Sequence, residues 1–277
     1  MDLNTIAAVA HPTTRHQLPV WTAGDAWLAG GTWLFSEPQA HLTRLIDLTD
    51  LKWPALTIGE TELSISATCT VAQLDALSCP PEWIASPLIN QCCHAFLASF
   101  KIWKTATVGG NICMSLPAGA MISLTVALEG IYTLWPRNAP PRELPAVDFV
   151  TGNNANVLRP GELLRSIHLP AAALSKRFAF RRASLTKLGR SAALLIGTQS
   201  EAAHDLLLTI TATTPRPIQL RFAQVPSATE LRRALDERIP HDGYFDDVHG
   251  SAPYKRHLTY YFAEQIRAEL AQPQAGT

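Results

Sequence analysis

The chain has 277 residues, of which 47% are hydrophobic, and its 23 basic and 23 acidic side chains give a formal net charge of zero. This length suits one large domain or two moderate ones, with enough apolar residues for a sizeable core. The even charge balance argues against nucleic-acid and membrane-surface partners. No apolar run reaches the roughly 18 residues that a membrane span needs, and residues 1–11 lack the pattern of a secretory signal.

In the first half of the chain, apolar periodicity predicts a mixture of strands and helices. The predicted strands cover residues 26–29, 44–48, 56–58, 62–65, 131–135 and 163–169. The predicted helices cover residues 71–77, 88–100 and 121–128. We expect the strands at 56–58 and 62–65 to form a hairpin across Gly59-Glu60. The three prolines in residues 137–145 predict a loop there.

In the second half, strands precede helices. The composition changes near residues 170–175, which we predict to be a linker. Predicted strands follow at residues 177–183, 192–197, 206–212 and 218–222, and predicted helices at 228–236 and 254–270. This order of elements is typical of an α+β fold.

The cysteines and histidines give no pattern of metal ligands. The five cysteines are Cys69, Cys79, Cys92, Cys93 and Cys113, and none forms a C-x-x-C pair. No iron–sulfur cluster, zinc site or other metal centre is therefore predicted on this chain. The odd cysteine count without a disulfide framework favours a reducing compartment, and we expect a cytoplasmic protein.

Two glycine pairs are the strongest candidates for a binding site. One lies in the segment Leu28-Ala29-Gly30-Gly31-Thr32-Trp33-Leu34, and the other in Ala106-Thr107-Val108-Gly109-Gly110-Asn111-Ile112. Each pair follows an apolar stretch. Glycine turns let backbone N–H groups face a ligand with no Cβ in the way. Two such turns suggest a grip on one long, phosphate-bearing ligand, and the alternative is a pair of structural turns.

These segments resemble the FAD-binding subunits of molybdenum hydroxylases, which include the carbon monoxide dehydrogenase medium subunit and the flavin domain of xanthine dehydrogenase. That family typically has Ala-Gly-Gly-Thr-Asp-Leu and Ala-Thr-Ile-Gly-Gly-Asn-Ile at the two loops. The similarity continues through residues 45–48, 160–170 and 250–258. It implies an FAD-binding domain of the PCMH type with two α/β subdomains over residues 1–172, and a small α+β domain with an antiparallel sheet over residues 173–277.

The resemblance implies a set of FAD-binding residues. The first loop would wrap the pyrophosphate and adenosine, and the second would approach the ribityl chain and flavin. Leu97, Leu164 and Arg181 match family positions near the cofactor, although a core position is the alternative for both leucines and a solvated strand for Arg181. The full candidate set is Leu28, Ala29, Gly30, Gly31, Thr32, Trp33, Leu34, Leu97, Thr107, Val108, Gly109, Gly110, Asn111, Ser115, Leu164 and Arg181.

The sequence departs from the family pattern around the loops, and Lys104-Thr105 replaces the Arg-Asn that often precedes the second loop. Leu116 stands where the family has Ser, Ala120 where it has a cofactor-contacting Asp, and Trp33 where it usually has Asp. The loss at Ala120 removes polar contacts of about 0.5–3 kcal/mol each, and Ser115 is a candidate replacement. Arg181, Arg182 and Arg190 are candidates for an NAD site on charge alone.

The resemblance implies a flavoprotein subunit of an oxidoreductase complex. A large subunit would bind molybdopterin, a small subunit would hold [2Fe–2S] clusters, and FAD here would pass electrons to an acceptor such as NAD⁺ or a quinone. The cofactor does the redox chemistry, so no catalytic residue is predicted on this chain. Two alternatives stay open: a structural subunit that has lost FAD, and a stand-alone flavin oxidoreductase of the PCMH type.

Overall fold

The computed structural model describes residues 3–96, 98–187 and 189–272. Within them lie four sheets and eight α-helices, so the predicted α+β class is confirmed. The helices are α1 Val71–Asp75, α2 Pro87–Ala95, α3 Phe100–Trp103, α4 Val108–Met114, α5 Ala120–Ala127, α6 Ala171–Leu174, α7 Ala228–Arg238 and α8 Ala252–Leu270.

A small parallel sheet opens the chain. Its strands are β1 Ala8–Ala10, β2 Asp25–Leu28 and β3 Arg44–Asp47, and β3 lies between the other two. An ion pair between Asp25 and Arg44 joins β2 to β3 at 2.6 Å. The first glycine pair follows β2 directly, so this sheet fixes where that loop begins.

The central sheet is antiparallel and has the strand order β4-β5-β10-β6-β7. Its strands are β4 Leu56–Ile58, β5 Glu62–Ser66, β6 Ile131–Trp135, β7 Arg142–Pro145 and β10 Leu163–Pro170, and a separate ribbon pairs β8 Val150–Gly152 with β9 Ala155–Asn156. Leu63 and Ile65 point from β5 into a core shared with α2, α4 and α5. The predicted hairpin over 56–58 and 62–65 is confirmed.

The last sheet is an antiparallel meander of β11 Arg177–Ala183, β12 Ala193–Gln199, β13 Leu206–Thr211 and β14 Ile218–Phe222. One face packs against α7 and α8, and the other packs against α5. On the α5 side, the hydroxyls of Ser123 and Thr211 are 2.6 Å apart. Gln219 Nε2 donates to the Val126 carbonyl at 2.8 Å. Polar bonds as well as apolar contacts therefore hold this sheet against the helical layer.

One predicted helix and one predicted loop in the first half of the chain differ from the structure. The helix predicted over 88–100 ends at Ala95, because Phe96 turns to ψ 92° and its carbonyl accepts a bond from Trp103 Nε1. A separate helix, α3, starts after the extended residue Ser99. The loop predicted over 137–145 contains β7, where proline is tolerated because β7 is an edge strand.

The predicted linker at residues 170–175 is also ordered. It contains the short helix α6, whose Ala173 and Leu174 are buried in the main core. The Leu174 carbonyl accepts a hydrogen bond from the Ala85 N–H at 2.8 Å. The connection to the last sheet is thus part of the packed structure.

Candidate functional site

The two predicted glycine segments meet at one open cleft of about 810 Å³. The loop after β2 forms one wall and the start of α4 forms another. Nine of the predicted residues line it: Ala29, Gly30, Gly31, Thr32, Trp33, Leu34, Thr107, Gly110 and Asn111. The volume lies within the range of about 300–1,000 Å³ usual for small-molecule and cofactor sites.

The first loop offers a row of unused hydrogen-bond donors. After Gly31, the chain makes one helical turn in which the Phe35 N–H donates to the Gly31 carbonyl at 2.9 Å. Among the described residues, the backbone N–H groups of Gly30, Gly31, Thr32, Trp33 and Leu34 form no hydrogen bond. Successive free N–H groups of this kind make a concave site for anions.

Both glycines of the first loop are required by sterics. A Cβ on Gly30 would lie 1.9 Å from the Thr105 carbonyl oxygen, so the two cleft walls touch backbone to backbone here. Gly31 has φ +66°, and a Cβ there would lie 2.4 Å from the Phe35 ring. The left-handed conformation and the contact both exclude a side chain.

The second glycine pair differs from its prediction as a loop, because it forms the first turn of α4. Its backbone N–H groups are already used: Val108 donates to Cys69, Gly109 to Ala67, Gly110 to Thr107 Oγ1 and Asn111 to the Thr107 carbonyl. Thr107 is the N-terminal cap of the helix. This segment therefore offers the cleft side chains and a smooth glycine surface at Gly110, while the N–H groups of Val108 to Asn111 are not available to a ligand.

Asn111 connects the cleft to the helix behind it. Its Oδ1 accepts a hydrogen bond from the Met121 N–H, at the start of α5, over 3.1 Å. Its Nδ2 has no partner among the described residues, while the residue lines the cleft. One side of the amide thus stabilises α5, and the other remains available to a ligand.

Six predicted residues do not line the cleft: Leu28, Val108, Gly109, Ser115, Leu164 and Arg181. Ser115 is fully buried, and its hydroxyl accepts from Asn156 Nδ2 at 3.0 Å. Leu164 belongs to the main core. Arg181 bonds to Gln265 and pairs with Glu269, both on α8. Leu97 lies outside the described residues.

The structure adds residues that the sequence did not single out for this cofactor site. Arg190, between β11 and β12, brings a positive charge to the cleft from the last sheet. Glu37 is the one acidic residue among the lining residues. Burial raises the pKa of the lining Cys113 thiol to about 12, so it is uncharged at neutral pH. Leu116 also lines the cleft, whereas Ala120 is buried at the start of α5.

These features fit FAD. A dinucleotide needs a long cleft, a site for its pyrophosphate and an apolar wall for its ring system. The free N–H groups of the first loop suit the pyrophosphate. Apolar side chains along the rest of the cleft could contact the ring systems of FAD: Trp27, Phe96, Ile102, Met114 and Leu116.

Among the described residues, no group of three His, Cys, Asp or Glu side chains converges to hold a metal ion. No helix within residues 3–96, 98–187 and 189–272 is long and apolar enough to cross a membrane.

Comparison of the sequence with known protein families also indicates an FAD-binding domain. A family model for the FAD binding domain in molybdopterin dehydrogenase matches residues 20–172, which is more than half of the chain. A xanthine dehydrogenase from Oryza sativa subsp. japonica is 34% identical over 84 residues, which make up 28% of this chain. The matched region covers 6% of the length of that relative.

Solved structures show the same fold over nearly the whole chain. Quinoline 2-oxidoreductase from Pseudomonas putida 86 gives a TM-score of 0.77 at 17% identity, covering 98% of this chain and 99% of the matched one. A Cu,Mo-CO dehydrogenase gives 0.78 at 19% identity, covering 95% and 99% respectively. CO dehydrogenase from Oligotropha carboxidovorans gives 0.75 at 20% identity, covering 94% and 96%.

Proposed function

Because the chain belongs to the family of FAD-binding domains of molybdopterin dehydrogenases, we propose that it is the electron-transfer flavoprotein subunit of a molybdenum hydroxylase-type complex. The observation that carries this proposal is the row of five free backbone N–H groups in a cleft of cofactor size. FAD, when bound, supplies the redox chemistry. The chain supplies binding, orientation and the electrostatic surroundings.

Each wall of the cleft contacts a different part of FAD. The N–H groups from Gly30 to Leu34 bind the pyrophosphate without a paired cation. Gly110 keeps the surface of α4 flat, so a ring or ribityl chain can lie close to it. Arg190 adds one positive charge from the last sheet. These roles use hydrogen bonds and shape, and none requires a general acid or base.

We propose that the redox partners are separate subunits. A molybdopterin-binding large subunit and a [2Fe–2S] small subunit would supply electrons, and NAD⁺ or a quinone would accept them. Exposed apolar side chains close to the cleft support a docking surface for such subunits: Trp33, Phe35, Phe100 and Ile102, with Phe100 68% exposed. The five free cysteines fit a cytoplasmic location. Residues 1–172 and 173–277 would be the two domains.

An absorbance spectrum of the purified chain tests the proposal. The protein is co-expressed with the products of neighbouring genes, and we expect flavin absorption and the release of FAD on denaturation. The same preparation is examined by circular dichroism to show that it is folded. A folded protein that stays colourless after incubation with excess FAD would contradict the proposal.

A second candidate is a structural subunit of the same family without FAD. Two observations favour it: the N–H groups at the start of α4 are all used within the protein, and Ala120 has no carboxylate to contact the cofactor. A colourless but intact complex is its expected outcome. The donors of the first loop favour the FAD-binding role over this one.

A further inference from the structure

A second cavity lies on the far side of Trp27, whose side chain is shared by both cavities. It measures about 530 Å³ and is bounded by the segment around Arg15 and by the turn between β6 and β7. Gly161 forms part of its floor, with φ +76° and a Cβ position only 2.9 Å from the Trp21 side chain. The proposed FAD role does not use this cavity.

Its polar lining is basic. Arg15, His16 and Arg137 line it, and none of the aspartates or glutamates in the described part of the chain does. Arg15 Nη2 donates to the carbonyls of Pro136 and Ala139 at 3.0 and 2.8 Å. Arg137, in the turn between β6 and β7, donates to the Pro19 carbonyl in the segment that contains Arg15. These bonds fix both guanidinium groups and leave most of their N–H donors unused.

A third arginine increases the local charge. Arg165 lies with its guanidinium carbon 4.2 Å from the Trp53 ring centroid and 5.5 Å from that of Trp135. Within the described residues, no carboxylate pairs with Arg15, Arg137 or Arg165. The nearby Glu162 is buried and already bound through both oxygens by Arg142. Arg15 and Arg165 are partly buried and Arg137 is exposed. Cations without counter-ions create a positive potential that attracts anions.

The side walls are aromatic and fixed in position. Trp27 Nε1 donates to the Glu162 carbonyl at 3.1 Å, which holds its indole ring. Trp135 packs edge-on against Trp53 at 5.4 Å, with Arg15 5.1 Å from its ring centroid. Indole and guanidinium planes are surfaces on which flat rings stack.

We propose that this cavity is a second ligand site, which binds a nucleoside monophosphate. The arginines would hold the phosphate, since guanidinium groups bind phosphate oxygens through paired N–H donors. The base would lie against Trp27 and Trp135. The volume exceeds what a single phosphate ion needs and suits a ligand of this size.

Equilibrium dialysis with AMP tests the proposal, on the intact chain saturated with FAD so that AMP cannot enter the first cleft. We expect one equivalent of AMP to bind. Adenosine lacks the phosphate and inorganic phosphate lacks the base, so each should bind at least about tenfold more weakly than AMP. Equal binding of phosphate and AMP would show an anion site without base recognition, and would overturn the proposal.

Variants separate this site from the first cleft. Arg15→Gln/Arg137→Gln should raise the Kd of AMP at least about tenfold, because charge-assisted bonds are lost, and FAD binding should be unchanged. Arg233→Gln, on the exposed face of α7, is the control and should have no effect. Arg15→Lys/Arg137→Lys keeps the charge and should recover part of the affinity if the turn stays folded.

The arginine variants also test the second cavity if the chain does not bind FAD. AMP is then measured on the ligand-free protein, where the two arginine variants still report on the second cavity alone. AMP binding that is the same in Arg15→Gln/Arg137→Gln and in the wild type would overturn the proposal, as would the absence of AMP binding in both preparations.

Discussion

The side-chain oxygen of Asn111 caps α5, which begins at Ala120, by accepting a hydrogen bond from the Met121 N–H at 3.1 Å. Gly119, at the N-cap position of α5, has no side chain to do this. A residue of the cofactor cleft therefore also stabilises the helix that packs against the last sheet. The two roles of Asn111 use different atoms, so substitutions can separate them.

Asn111→Ala should destabilise the protein by about 1 kcal/mol, the usual cost of losing a cap, and weaken FAD binding. Asn111→Asp keeps the acceptor and adds a favourable charge near the start of α5, so it should be more stable than Asn111→Ala. Its charge should oppose the anionic cofactor, so FAD should bind it most weakly. Urea unfolding and FAD titration measure the two effects. Wild-type FAD affinity in Asn111→Asp would exclude a cleft role.

The first glycine loop gives a direct test of the FAD site. Gly31→Ala should raise the Kd of FAD at least about tenfold, because a left-handed alanine costs about 1–2 kcal/mol and its methyl group would displace Phe35. Gly59→Ala is a matched control in the hairpin turn, where a Cβ lies no closer than 3.3 Å to the Glu62 carbonyl. Flavin fluorescence titration measures both. Equal affinities in the two variants would argue against the first loop as the pyrophosphate site.

The sequence was sufficient to predict the elements whose signals are local. The strands at residues 177–183 and 218–222 agree with the structure at both ends, and the hairpin at Gly59 has its predicted partners. The steric demand on Gly31 also comes from its own loop, through Phe35. Apolar alternation and turn chemistry act over a few residues, which explains this success.

The rest of the site depends on contacts between distant segments. The first two N–H groups of α4, of Val108 and Gly109, donate to the carbonyls of Cys69 and Ala67, which follow β5 of the central sheet and are about 40 residues away in sequence. Arg190 lies in the connection between β11 and β12, and it reaches the cleft because β12 and β13 pack across α5. Neither relationship has a signal in the local sequence, so the helix at the second glycine pair and the role of Arg190 could not be predicted.

The pair between Asp25 and Arg44 predicts a pH dependence. The side chain of Asp25 is fully buried, and hydrogen bonds from Arg44 lower its pKa below the ordinary 3.8, although burial acts in the opposite direction. Because the folded-state pKa lies below the unfolded one, the stabilisation is complete above about pH 4 and is lost as the pH falls through the folded-state pKa.

Arg44→Met tests this pair, because it leaves a buried carboxylate without its cation. We expect a loss of about 3–5 kcal/mol at pH 7. The loss should shrink on acidification, since protonation of Asp25 removes the unpaired charge. Arg233→Met, whose side chain is 72% exposed, is the control and should change stability by less than about 0.5 kcal/mol. Urea unfolding at pH 7 and at pH values down to the folded-state pKa of Asp25 measures the free-energy difference between Arg44→Met and the wild type. A difference that does not change with pH would contradict the interpretation.

A buried lysine at the start of α8 stabilises the protein only together with its acidic partner. The side chain of Lys255 is fully buried, and its Nζ lies 2.9 Å from Asp247 Oδ1 and 5.1 Å from the Phe245 ring centroid. No described residue meets Nζ in hydrogen-bonding geometry, so the charge of Asp247 is its main compensation. Asp247→Ala should therefore cost about 3–5 kcal/mol, because it leaves an unpaired buried ammonium group.

Lys255→Met distinguishes the charge from the packing at this position. It removes the ammonium group at similar volume, so the double variant Asp247→Ala/Lys255→Met should recover most of the stability that Asp247→Ala loses. Asp242→Ala, in the same connection but exposed, is the control. Urea unfolding measures the stabilities, and FAD titration should show no change because neither residue of the pair lines the cleft. If Asp247→Ala costs no more than Asp242→Ala, the buried charge needs no partner and this account of the Lys255–Asp247 pair is wrong.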